Sequence, residues 1–102
     1  MKIVLLTAEI LAAPVANASP KVIPAAVPKN LHVYNQNGNT YVDHLPADCS
    51  SKRYYLSPNH KAYDQIAAIL LSAQIAHKKV VLRFDGCTNR GTQGKVIGVY
   101  LK

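Results

Sequence analysis

The chain has 102 residues, which allows one domain at most. It carries 12 Lys and Arg against 5 Asp and Glu, for a formal charge of +7, with two cysteines and no tryptophan. That balance favours acidic partners and says nothing about fold, and the absence of a CxxC pair or a Cys/His cluster leaves no zinc-site pattern.

Met1-Lys2 is a short basic start, Ile3 to Val15 is largely apolar apart from Glu9, and Ala16-Asn17-Ala18 closes the segment with small residues. This order is that of an export signal spanning residues 1–18. The apolar stretch falls short of the about 20 residues a membrane span needs, and no later segment qualifies. Cleavage after Ala18 leaves about 80 residues, a size that buries only about 60–65 % of its unfolded surface and benefits from a covalent staple. The two cysteines of an exported chain, Cys49 and Cys87, are therefore expected to form one disulfide. The expected location is secreted or periplasmic. Export argues against nucleic acid as the acidic partner.

Residues 19–30 hold Pro20, Pro24 and Pro28. Proline donates no backbone hydrogen bond, so this stretch reads as an extended arm or linker outside the core. Residues 31–102 form the domain proper. Leu31 to Tyr34 alternates, with Leu31 and Val33 on one face, and Thr40-Tyr41-Val42 is β-prone. Between them Asn37-Gly38 supplies the positive φ angles of a tight hairpin. A loop through Cys49 follows, then a short strand over Lys52 to Leu56. Ser57-Pro58 opens a helix to about His77, with Ser57 as the expected N-cap. Alanine at Ser57 would then cost about 1 kcal/mol. Lys79 to Phe84 and Lys95 to Leu101 are the last strands, separated by a polar loop. The late segments also concentrate positive charge in Lys78, Lys79, Arg83, Arg90, Lys95 and Lys102.

At 100° per residue, Ala62, Ile66, Ile69, Leu70, Ala73 and His77 form the helix face that packs on the sheet. Ala68, Leu71 and Ile75 make a second apolar patch on the far side, the expected oligomer interface. A disulfide that clamps the two strands flanking this helix would, when reduced, loosen the helix before the first hairpin.

Ser57, His60 and Asp64 form no credible triad, since all three lie within two turns of an exposed helix flank. His60 and Asp64 are a two-ligand set, too weak for a metal. The glycines at 86, 91, 94 and 98 match no phosphate-binding motif. The chain thus reads as a binder without catalytic residues, metal or cofactor. Five of its six tyrosines lie on predicted strands. An apolar ring with a polar tip suits sugar stacking. Tyr34, Tyr54, Asn89 and Arg90 are accordingly the candidate glycan-binding residues.

The stretch from Tyr54 to Tyr100 comprises a strand, the Ser57-Pro58 helix start, an Ala/Leu-rich helix, the Lys78-Lys79-Val80-Val81-Leu82-Arg83 strand, Gly86-Cys87 and a closing strand. In pattern it resembles the OB-fold B subunits of AB5 toxins, in the pertussis-like and subtilase-cytotoxin branch. The resemblance implies an α+β fold: a small five-stranded antiparallel barrel in the order β-β-β-α-β-β, with one helix between its third and fourth strands. It also implies a homo-oligomer, a pentamer in that family, that binds cell-surface glycans and carries a catalytic A subunit. The alternative is a monomeric periplasmic or secreted domain with a structural or inhibitory protein-binding role.

Overall fold

A computed structural model describes residues 20–102, so the expected export segment lies outside the described residues. The elements run β1 (Lys21–Ala26), β2 (Lys29–Val33), β3 (Thr40–Asp43), β4 (Arg53–Leu56), α1 (Tyr63–Ala76), β5 (Val80–Thr88) and β6 (Gln93–Leu101). The fold is α+β: one helix and one six-stranded sheet in the order β1-β5-β6-β4-β3-β2. Four neighbouring pairs are antiparallel, but β4 and β6 run parallel. The expected barrel is therefore corrected. Among the described residues there are six strands, not five, in one open sheet that is mixed, not antiparallel.

The sixth strand comes from the segment read as a proline arm. Lys21 to Ile23 pair residue for residue with Phe84 to Leu82, and the register then shifts before Ala26 meets Val80. Pro24 falls inside that shift, where no N–H is required, which is how a strand accommodates proline. Ile23 is buried in the core. β1 and β2 stand at opposite ends of the hydrogen-bonded order, yet only Val27-Pro28 separates them in the chain. A second irregularity follows at once. Asn30 takes a left-handed φ of 55°, and its side-chain amide donates to Asp43 Oδ2 at 2.9 Å.

The hairpin between β2 and β3 forms where expected, with different turn chemistry. Gly38 N donates to Asn35 O at 3.0 Å, and Gly38, not Asn37, takes the positive φ, 83°. Asn35 Oδ1 accepts from Asn37 N at 3.1 Å, which stabilises the turn locally.

The helix begins later than Pro58. His60 N bonds to Ser57 O and Tyr63 N to His60 O, so residues 57–62 are successive turns. Ser57 Oγ accepts from Asn59 N within the first of them, and Ala62, the N-cap, has no side-chain cap bond. The expected loss of a cap on replacing Ser57 therefore does not apply. The helix ends at His77, left-handed at φ 55°, where Lys78 N reaches back to Ala73 O at 2.9 Å. Ile66, Leu70 and Ala73 are buried against the sheet, while His77 is exposed. Gln74 Oε1 ties the helix to β2 by accepting from Leu31 N at 2.8 Å.

The core joins this helix face to Ile23, Val42, Tyr54, Leu56, Val80, Leu82, Phe84 and Val96. Strict two-residue alternation fails at one place on β6. The register shifts between Arg83↔Gly98 and Phe84↔Val96, and a bulge reverses the faces of the residues beyond it. Val96 and Val99 thus both serve the core, and Leu101 lies exposed.

Cys49 and Cys87 form the expected disulfide, with Cα atoms 5.7 Å apart. Its placement differs from the expected clamp on the helix. It joins the β3–β4 loop to the far end of β5, beside the β5–β6 turn. Ser50 N→Gly91 O, Ser51 N→Thr92 O and Ser51 Oγ→Thr92 O (2.6 Å) reinforce the same junction.

Candidate functional site

Outer-face positions of three adjacent strands place aromatic rings in a row. His32 on β2 pairs with Tyr41 on β3, and Tyr41 pairs with Tyr55 on β4. Ring centroids are 5.6 Å apart for His32–Tyr41 and 5.5 Å for Tyr41–Tyr55. Tyr34, just past β2, meets Tyr41 edge-on at 6.1 Å. These are separations at which aromatic pairs attract beyond their area burial.

The row borders a shallow cleft of 260 Å³ lined by His32, Tyr34, Tyr41, Arg53, Asn89 and Gln93. Its polar groups are held in place. His32 Nδ1 donates to the Asn30 carbonyl at 2.7 Å, which leaves Nε2 for a ligand. Arg53 grips Asp43 through Nε–Oδ1 at 2.8 Å and Nη2–Oδ2 at 3.1 Å. Asp43 is buried, and its carboxyl lies below the usual carboxylate range, foremost because Arg53 hydrogen-bonds to it. A fork with two bonds fixes the guanidinium plane at the cleft wall. Asn89 and Arg90 take left-handed φ values of 53° and 61°, and Gly91 follows at 83°. Non-glycine residues hold this conformation only when their surroundings impose it. Here Thr92 does so, through Thr92 N→Thr88 O and Thr92 Oγ1→Asn89 O.

Of the four residues expected to bind glycan, Tyr34 and Asn89 share this cleft, with Tyr34 72 % exposed. Arg90 is exposed on the same turn but does not line it. Tyr54 is corrected: it is fully buried, its ring 5.6 Å from Phe84, its hydroxyl donating to Leu45 O at 2.6 Å. Burial pushes that hydroxyl up to about 12. It cannot stack on a ligand. His32, Tyr41, Arg53 and Gln93 were not anticipated. The alternation that turns Leu31 and Val33 one way turns His32 and Tyr34 the other, so half of the row was readable.

The second helix patch lies where expected, with Leu71 48 % and Ile75 70 % exposed and Ala68 exposed beside them. It continues into an apolar groove against β2 that includes Leu31, Val33 and Tyr63. Ser57 and His60 are engaged with backbone of their own turns, His60 Nδ1 accepting from Ala62 N. Among the described residues no three His, Cys, Asp or Glu side chains group to hold a metal, and no helix is long and apolar enough to cross a membrane.

Two buried titrating groups link stability to pH. His44 Nε2 donates to Val80 O at 3.0 Å, its Nδ1 has no partner, and burial holds its pKa below the ordinary 6.5. The unfolded chain therefore takes up that proton first. Stability from this group is complete above 6.5 and is lost as pH falls through the folded value. Asp43 adds a second loss below its ordinary 3.8, as pH falls through its lowered folded value. Urea midpoints across pH are expected to show both steps, and His44→Gln should remove only the upper one. A profile flat through 6.5 in the parent protein would contradict the assignment.

No protein-family model matches the sequence, and a comparison with curated proteins finds no match.

Proposed function

We propose that this chain is an exported, non-enzymatic OB-type binding domain that recognises cell-surface glycans, in the manner of a toxin B subunit. The strand order supports the OB reading. From β2 onward it runs β2-β3-β4-β6-β5, with β4 and β6 parallel and the helix between β4 and β5. β1 and β2 follow one another with only Val27-Pro28 between them and edge the open sheet at its two ends, the arrangement a bent first strand has in a partly open five-stranded barrel. The position of the aromatic cleft carries the functional reading. OB folds bind oligosaccharides and oligonucleotides on the face of their second and third strands, flanked by the loops after the first and fourth. Those elements correspond to β3, β4, the turn after Tyr34 and the turn at Asn89. Tyr41 of β3, Arg53 of β4, Tyr34 at the head of the first turn and Asn89 in the second line the cleft, joined by His32 of β2 and Gln93 of β6. A row of rings edged by Arg, Asn and Gln suits a sugar, whose C–H faces stack and whose hydroxyls bond.

The exposed Ala68, Leu71 and Ile75 are the surface for a homo-oligomer, a ring in the toxin-type reading, with a catalytic subunit as the further partner. Light scattering on the secreted protein reads that state, and a monomer would remove the ring.

A glycan array tests the binding. The parent protein should bind a defined subset of glycans, and Tyr34→Ala should weaken that binding about tenfold with unchanged stability. Selective binding to single-stranded oligonucleotides in place of glycans would overturn the reading.

A further inference from the structure

A second cleft lies apart from the aromatic row, at the corner where β1 passes into β2. It has a volume of 630 Å³, within the range of small-ligand sites. Ala25, Ala26, Val27, Leu45 and Pro46 provide apolar lining. Lys29, Lys52 and Lys79 come to it from the start of β2, the approach to β4 and the turn before β5. All three are exposed, and among the described residues none forms an ion pair.

The lining includes a single carboxylate, Asp43, whose oxygens are taken by Arg53 and Asn30. It cannot neutralise the lysines as a free partner would. The other titrating groups of the wall are His44, bonded to Val80 O, and His77 at the helix end. A cleft with charge of one sign and low-dielectric walls focuses its field and concentrates counter-ions. Three ammonium groups spread around one opening suit several anionic groups on one ligand better than a single anion. Apolar lining between them suits the C–H faces of sugar rings.

We propose that this corner cleft is a binding site for sulfated oligosaccharide, distinct from the aromatic cleft. The choice of a sulfated sugar over nucleic acid rests on the reading of the chain as exported. The site itself does not depend on the aromatic cleft's ligand.

Calorimetric titration of the full secreted protein with a heparin-derived tetrasaccharide tests it. The parent protein should bind, more weakly as salt rises. The triple variant Lys29→Ala/Lys52→Ala/Lys79→Ala should lose about tenfold or more in affinity. The three side chains are exposed, so the variant should keep its urea midpoint. Tyr34→Ala should leave this titration unchanged, which separates failure here from failure of the aromatic site. No binding, equal binding by the triple variant, or lysine-dependent binding only to anionic phospholipid vesicles or to oligonucleotides would overturn the proposal.

Discussion

Replacing Gly94 with alanine is expected to destabilise the domain by about 2–3 kcal/mol, the upper range for overpacking a core. Gly94 is buried on β6, paired with Cys87 on one side and Tyr54 on the other. A methyl group there would sit 2.6 Å from Tyr54 Cδ2 and Cε2 and 2.9 Å from Phe84 Cδ2. Neither ring has room to yield. The Tyr54 hydroxyl is pinned to Leu45 O, and the ring is held edge-on between Phe84 and His44. The parallel contact between β4 and β6 therefore requires glycine. Domains of this size have about 5–15 kcal/mol in total, so the loss should appear plainly as a lower urea midpoint at constant slope. Gly98→Ala is the control, because its methyl would meet only Arg83 side-chain atoms at 3.8 Å. Equal midpoints for the two variants would show that the Tyr54 ring is not fixed as described.

Removing the disulfide by Cys49→Ala/Cys87→Ala is expected to cost about 4 kcal/mol by chain-entropy arithmetic for a separation of 38 residues. For a domain of this size that corresponds to a melting temperature lower by roughly 15–30 °C. The loosening should be local. Amides of residues 44–52 and 88–93 should exchange first, because the bridge and the Ser50–Gly91 and Ser51–Thr92 bonds form one junction. The helix, which packs on β6 and β2 away from this junction, should stay protected longest. Because that junction sets Asn89 and Gln93, reduction should also weaken ligand binding at the aromatic cleft. Early exchange in the helix would contradict this placement.

The parts of the fold legible in the sequence were those with local causes. Alternation fixed the hairpin faces, periodicity fixed the buried side of the helix, and cysteine count with the basic-apolar start gave the disulfide pairing. The misses have a shared cause in non-local compensation. Pro24 argued against a strand, but a register shift against β5 removes the need for its N–H. Ser57 looked like a cap, yet intervening turns move the helix start to Tyr63. Tyr54 looked like a ligand platform, and only the approach of Gly94 and Phe84 makes it core. Of the candidate site, Tyr34 and Asn89 were found by chemistry. Tyr41 and Arg53 emerge only once cross-strand pairing sets them beside those two.

The central claim is that the aromatic row and its polar edge bind a glycan. Heteronuclear NMR titration of the oxidised protein with the glycan selected on the array tests it most directly. Shift changes are expected to be confined to His32, Tyr34, Tyr41, Arg53, Asn89 and Gln93, and to be abolished or weakened about tenfold by Tyr34→Ala. Shift changes centred elsewhere, with these six residues unmoved, would contradict it.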